Sequence, residues 1–187
     1  MDESLNLSET ASAGLVANAS AHDALPLKGT FTVEHIRDGE VIFSEEFSNT
    51  ITDVGKKLLL DTIFGNSAAG AVYMCLKGTG TAAAADTQAS HAGWLEQGST
   101  NAPTYTSPRK TPSWSSATGS GSVSKSTSAA QAFAITGTGT VYGCFINIGG
   151  TTAIDNTTGT LFSAGDFSSS RAVISGDTLN VTYTLSC

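Results

Sequence analysis

The sequence contains few of the residues that build catalytic, metal or nucleic-acid sites. Charged residues make up 13% of the 187-residue chain, about half the usual share in soluble proteins. Nine are Lys or Arg against 16 Asp or Glu, which gives a formal net charge of −7. The basic residues are scattered, with adjacent pairs only at Lys56-Lys57 and Arg109-Lys110. Because phosphate binding needs clustered Lys and Arg, we expect no nucleic-acid partner.

Cysteines and long apolar runs are also scarce. The three cysteines lack CxxC spacing and are odd in number, so neither a zinc site nor a closed disulfide framework is indicated. Cys75 and Cys144 are predicted to be small buried residues, whereas Cys187 is predicted to be accessible, and whether it forms an intermolecular disulfide stays open. No apolar run approaches the ~20 residues of a membrane-spanning helix. The polar start at Met1-Asp2-Glu3-Ser4 does not resemble a signal peptide, so we expect a cytosolic origin and no membrane partner.

Short β-rich runs separated by turn residues dominate the last third of the chain. In the final run Leu179, Val181, Tyr183 and Leu185 alternate with polar residues, which is typical of a sheet with one buried face. Closely spaced strands of this kind predict an antiparallel sandwich. The predicted strands are Gln131–Thr136, Thr140–Ile148, Gly159–Ala164, Arg171–Ile174 and Thr178–Leu185.

The first half adds a hairpin and a helix. Asp38-Gly39 lies between the β-rich runs 30–37 and 40–44, and it predicts a tight hairpin because both turn positions need positive φ. A helix is predicted over 54–64, followed by a strand over 71–77. We therefore predict a mainly all-β protein, an antiparallel β-sandwich or jelly-roll-like domain with one helix.

The helix prediction rests on its ends and on its apolar stripe. Thr52 or Asp53 can cap the first turn, and Gly65 follows where a left-handed residue commonly ends a helix. The stripe is predicted to face the core. Its members are Val54, Leu58, Leu59 and Ile63.

Residues 1–27 differ from the rest of the chain. They contain four acidic residues and no Lys or Arg, and Ala, Ser and Asn fill most of the remainder. This composition is typical of a segment that does not fold alone. We predict an extended arm over 1–27 that contacts a neighbouring chain, followed by a β-sandwich domain over 28–187. The alternative is a short helix from Ser8 to Ala17 that folds back on its own domain.

A long irregular region covers 78–121. Loops of this length are usually functional or docked, and some of this one could pair as strand near 104–108 and 112–116. Its tryptophans, Trp94 and Trp114, could form a sugar-binding platform, although a loop Trp more often anchors its loop to the sheet beneath. The Ser-rich stretch Ser120–Ser128 predicts a mobile turn or an edge strand with weak register.

Asp86, His91 and Glu96 are the nearest approach to an acid–base or metal cluster. They lack ligand spacing, and the simpler interpretation is that Asp86, Thr87 and Ser90 cap loop turns. We therefore assign no catalytic, metal-binding or cofactor-binding residue and expect a protein that is not an enzyme.

Other isolated signals are weaker still. His35 is predicted to be a surface or half-buried strand residue, and His22 lies in the arm. Gly78-Thr79-Gly80 lacks the rest of a dinucleotide-binding motif and is interpreted as a turn, and no nucleophile elbow or P-loop pattern occurs.

Three segments together resemble a family of small β-rich structural proteins of tailed bacteriophages. They are 51–60 (ITDVGKKLLL), 76–94, in which Ala85 to Trp94 is the most specific part, and 159–181, which ends in Gly-Asp-Thr-Leu-Asn-Val. The resemblance covers about Lys28 to the end of the chain, so the arm lies outside it.

The resemblance implies a non-enzymatic virion component that is assembled in the bacterial cytoplasm. We expect a capsid decoration (cement) protein that binds the major capsid protein as a homo-oligomer, with a trimer favoured. The alternatives are a neck, tail or baseplate adaptor, a fibre-attachment protein, or a glycan-binding receptor module.

Overall fold

Two antiparallel sheets pack face to face in the computed structural model, which describes residues 26–91 and 93–187. The predicted all-β sandwich is confirmed. Most of the predicted arm, with His22, lies outside the described residues. Sheet A contains, in spatial order, β2 (Glu40–Ser48), β1 (Lys28–Arg37), β11 (Thr178–Ser186), β7 (Ser122–Ser126) and β6 (Thr118–Ser120), with β8 (Gln131–Ala134) pairing to the other half of β11. Sheet B contains β3 (Thr50–Ile51), β10 (Thr160–Val173), β9 (Gly139–Ile148), β4 (Val72–Lys77) and β5 (Glu96–Gln97).

The main core lies between the two sheets and follows the alternation in the sequence. Leu179, Val181 and Tyr183 on β11 are buried there, while the polar residues between them are partly exposed, as predicted. On the facing sheet, Met74 and Leu76 of β4 contribute to the same core. The aromatic members stack and cross, with ring centroids of Phe31 and Tyr183 4.7 Å apart.

The predicted hairpin is confirmed. Asp38 and Gly39 have φ values of 54° and 85° between β1 and β2. Asp tolerates the left-handed region better than most residues and Gly adopts it without strain, so this dipeptide closes a two-residue turn. The turn lies at the end of the sandwich opposite Lys28, because β1 runs between them.

Helix α1 (Asp53–Ile63) begins and ends within one residue of the prediction. The Thr52 hydroxyl accepts a hydrogen bond from the Gly55 amide at 3.0 Å and so caps the first turn. Gly65 follows the helix with φ 81°. The helix meets β10 at Gly55, where an added Cβ would lie 2.4 Å from the Phe162 carbonyl oxygen. Only glycine allows this close approach.

The predicted core stripe of α1 is wrong in part. Val54, Leu58 and Leu59 are half-buried, and Ile63 is 62% exposed. Gly55 is the one buried residue of the helix. Its closest contact with sheet B is therefore in the first turn, and Leu60 and Ile63 near its end are mostly exposed.

The predicted strands 159–164 and 171–174 form one long strand, β10. Its register against β9 shifts between Asp166 and Arg171, where Ser168–Ser170 are exposed and the Ser168 amide donates to Glu45. The sequence did not indicate this continuity, because a run of serines has no apolar alternation.

The irregular region pairs less than the sequence allows. Near 104–108 and 112–116 only single bridges form, including Tyr105 with Ile135 and Trp114 with Thr127. The Ser-rich stretch contains β7 and, with β6, lies at the edge of sheet A, as one of its two interpretations predicts. Among the described residues, no helix is long and apolar enough to cross a membrane.

Candidate functional site

An apolar cavity opens between the two sheets beside α1. It has a volume of about 220 Å³. Leu59 of α1, Lys125 of β7 and Trp114 contribute to its lining. The inner faces of the two sheets complete the lining with Val72, Ile146, Ile148, Phe162, Tyr183 and Leu185.

A second cavity of about 220 Å³ continues the first towards the end of the sandwich at which β1 begins. The two cavities share Leu59, Lys125 and Leu185. We call them together the apolar groove. The second part is also lined by Leu27, Ile63, Ala117, Val123, Ser124, Ser186 and Cys187.

Exposed apolar residues of α1 lie next to the apolar groove, and one lysine belongs to its lining. Leu60, Ile63 and Phe64 of α1 and its C-terminal cap are 56%, 62% and 77% exposed. Among the described residues, Lys125 is the one charged side chain in the lining, and no Asp or Glu side chain contributes to it. An exposed apolar patch continuous with a groove is typical of an interaction surface rather than of a catalytic site.

The outer face of sheet B carries a second apolar cluster. Tyr73 and Cys75 on β4 point away from the main core, because they alternate with Met74 and Leu76. We call this set the outer cluster. Its members are Tyr73, Cys75, Trp94, Phe145, Leu161 and Ala164. Residues of the loop 78–95 cover it.

Trp94 anchors this loop and is 2% exposed. Its indole N–H donates to Asp86 Oδ2 at 2.9 Å, and its ring lies 5.1 Å from that of Phe145. Trp94 is therefore not available as a sugar platform. Trp114 is half-buried in the wall of the apolar groove, 6.2 Å from the Tyr183 ring.

Two buried cations fix the surrounding loops. Arg109 donates to both oxygens of Glu96, at 2.8 and 2.5 Å, with both side chains almost fully buried. Arg109 also donates to the carbonyls of Thr151 and Asn156. Lys77 is fully buried on β4 and binds Asp166 and loop carbonyls, including that of Gly80. Each cation ties loop backbone to sheet B.

A third polar cluster joins the β10–β11 turn to β1. Arg37 donates to both oxygens of Asp177, at 2.8 and 2.7 Å, and His35 Nε2 lies 2.8 Å from Oδ2. The hydrogen bonds from Arg37 hold the pKa of Asp177 well below its usual range. Burial opposes this shift, and the hydrogen bonds from the Ile174 amide and His35 add to it. His35 is buried, so its predicted surface or half-buried position is wrong. Burial is possible because Asp177 supplies a partner.

A small polar cleft of about 150 Å³ lies next to the covering loop. His91, Glu96 and Asp155 contribute to it, but each is already engaged: His91 Nδ1 contacts the Trp94 carbonyl, Glu96 binds Arg109, and Asp155 accepts from Ser99. Over 26–91 and 93–187, no His is hydrogen-bonded to a Ser, Thr or Cys, and no three His, Cys, Asp or Glu are grouped to hold a metal ion.

The structure brings together part of the weak sequence cluster, in structural roles. Asp86 accepts from the Ala83 amide, and Thr87 accepts from the Ser90 amide, so both cap turns as interpreted. His91 stacks on Trp94 with ring centroids 4.1 Å apart. Glu96 lies on β5 and pairs with Arg109 instead.

The three cysteines occupy different environments. Cys75 and Cys144 are fully buried, as predicted, and burial raises the pKa of both thiols. Cys187 is half-buried at the apolar groove, where its backbone pairs with Val123 of β7. The three thiols are free.

Sequence reasoning missed the apolar groove and the buried Arg109–Glu96 pair. The only signal for the pair was the occurrence of acidic and basic residues in an otherwise neutral loop. For the groove, the signal was the excess of leucines on α1, which the stripe prediction assigned to the core.

Comparison of the chain with models of known families, with curated proteins and with solved structures found no match.

Proposed function

We propose that this chain is a non-enzymatic structural protein of a tailed-bacteriophage virion, and specifically a capsid decoration protein. It would bind the major capsid protein as a homo-oligomer, with a trimer favoured, and stabilise the particle. The virion assignment is supported by the resemblance of the three segments described above. A neck, tail or baseplate adaptor, or a fibre-attachment protein, is the alternative place within the same particle.

The observation that carries a binding role is the exposed apolar end of α1 beside the apolar groove. Ile63 and Phe64 offer apolar area to a partner, since they are 62% and 77% exposed. Burial of such area contributes about 25 cal/mol per Å². The surface therefore suits association with another protein.

A variant of α1 tests this role directly. The double substitution Ile63→Ser/Phe64→Ser removes the apolar end, and we expect it to reduce incorporation into particles. The matched control is Val41→Ser/Ile42→Ser, which removes two apolar residues that are similarly exposed at the opposite end of the sandwich. Equal incorporation of both variants would contradict a docking role for α1.

Mass spectrometry of purified virions tests the station. A copy number on the scale of the major capsid protein supports decoration, and one on the scale of a single ring supports the neck or tail. Absence from the purified virion would overturn the proposal as a whole.

Glycan binding is a second candidate, favoured by one observation in the polar cleft. Gln88 is buried there, and its Oε1 accepts no hydrogen bond from the described residues, so it could accept one from a sugar hydroxyl. Gln88→Leu should then abolish retention on a glycan array while the protein stays folded. No retention of the unsubstituted protein would remove this candidate.

A further inference from the structure

We propose that in the free protein the apolar groove is occupied by the amino-terminal segment, residues 1–25, of the same chain. The inference concerns the isolated protein and goes beyond the proposed virion role. It does not depend on what the protein binds in a particle.

The position of the attachment point favours this occupant. Leu27 lines the apolar groove, is half-buried and packs against the main core. The amino-terminal segment joins the described chain at Pro26, one residue earlier. It is therefore tethered at the rim, and a short tether gives an effective concentration of about millimolar. A separate molecule at micromolar concentration competes poorly with it.

The size and chemistry of the apolar groove match the apolar residues of the segment. Each part has about 220 Å³, more than the ~150 Å³ of an engineered apolar cavity that holds benzene. Each part therefore has room for a leucine side chain. The leucine and valine residues of the segment are Leu5, Leu7, Leu15, Val16 and Leu25.

The charges are complementary as well. The amino-terminal segment has four acidic residues and no Lys or Arg. Lys125 lies in the lining of the apolar groove, and Lys28 follows the attachment point. Among the described residues, no Asp or Glu side chain lies in the lining, so no acidic side chain there repels a segment of negative charge.

Cys187 provides a chemical probe for the occupant. It lines the apolar groove, whereas Cys75 and Cys144 are fully buried and cannot compete for an introduced thiol. We would introduce Leu7→Cys or Val16→Cys into the full chain and oxidise the folded protein at about micromolar concentration. The matched control is Glu40→Cys, which places an exposed thiol at the hairpin end, roughly 30 Å away along β1.

The expected result is an intramolecular disulfide to Cys187 in at least one of the two segment variants. It would appear as a monomer-mass species whose Cys187 peptide is linked to the segment in mass spectrometry. At micromolar protein it should form on the order of a thousandfold faster than any crosslink between molecules, the ratio of millimolar to micromolar concentration. Covalent dimers as the main product would identify a second copy as the occupant and overturn the proposal. Formation no faster than in the Glu40→Cys control at both positions would also overturn it.

Trp114 gives a second, non-covalent measurement. Leu15→Asp/Val16→Asp should expel the segment, so acrylamide should quench the Trp114 emission more strongly. The control Ala11→Asp/Ala13→Asp adds the same charge at small residues and should leave quenching unchanged. An equal change, or none, in both variants would contradict occupancy of the apolar groove. These measurements use free protein. They can therefore contradict occupancy of the apolar groove while the virion proposal stands, and the virion proposal can fail while they succeed.

Discussion

The outer face of sheet B and the apolar groove are both apolar surfaces that the two sheets do not cover themselves. The outer cluster is closed by the loop 78–95, which Trp94 anchors and which buried Lys77 binds through backbone carbonyls. The apolar groove is bordered by leucines of α1 that remain half-buried or exposed. The described chain closes the outer cluster with a loop that a buried cation holds in place, and it leaves the apolar groove open.

The largest expected effect on stability comes from breaking the buried Arg109–Glu96 pair. Arg109→Met leaves Glu96 charged and buried without its partner, and this should lower the free energy of unfolding by ~3–5 kcal/mol. The double variant Arg109→Met/Glu96→Met removes both charges and should lower the free energy of unfolding by less. Urea denaturation measures both. An equal loss in the two variants would mean that the pair is not what fixes these loops.

A matched pair of leucines compares the outer cluster with α1. Leu161 is fully buried in the outer cluster, whereas Leu58 is half-buried and belongs to neither apolar cluster. Leu161→Ala should lower the free energy of unfolding by ~2–5 kcal/mol. The sequence alone predicts the same range for Leu58→Ala, but its half-burial reduces the expected cost to about 1 kcal/mol, because less apolar area is lost. Equal costs in thermal or urea unfolding would show that α1 is covered as completely as sheet B.

The Asp177 cluster predicts an acid-sensitive contribution to stability. Since the folded pKa of Asp177 lies below its ordinary value, its contribution is fully present above about pH 4, the ordinary range for Asp. It is lost as the pH falls through the folded value. Asp177→Asn should therefore lower the Tm near neutral pH, and its difference from the unsubstituted protein should shrink below about pH 4. A pH-independent difference would assign the effect to packing instead.

The smallest expected effect is on thiol reactivity and leaves stability unchanged. Under native conditions a thiol reagent should modify Cys187, while Cys75 and Cys144 should react only after denaturation, because burial both hides them and raises their pKa. If the reagent modifies more than one thiol per chain under native conditions, sheet B must open far enough to expose Cys75 or Cys144. Non-reducing electrophoresis of particles separately tests a Cys187 crosslink between chains.

Local signals predicted much of the fold. Thr52 and Gly65 delimit α1, Asp38-Gly39 closes the first hairpin, and the period of β11 matches its buried face. Each of these features depends on residues close in sequence. The continuity of β10 was missed because Ser168–Ser170 have neither alternation nor a turn signal.

The tertiary contacts and the candidate site were less predictable because they depend on distant residues. His35 and Asp177 are 142 positions apart, and nothing in either local pattern indicates the contact. The stripe of α1 showed which residues share a face, but an amphipathic pattern does not show what covers that face. Leu59 and Ile63 were therefore assigned to the core, although they line the apolar groove.

The pairing of β1 with β11 has a consequence for how the protein is made. Lys28 lies opposite Ser186, and the pairs β3–β10 and β4–β9 are nested inside this outermost pair. A ribosome releases β1 long before β11 exists, so β1 must wait with only β2 beside it until synthesis of the domain is almost finished. Such long-range pairing is slow and exposes unpaired strand edges in the meantime. We expect nascent chains that stop before Thr178 to be protease-sensitive, and protection of sheet A to appear only once β11 has left the ribosome.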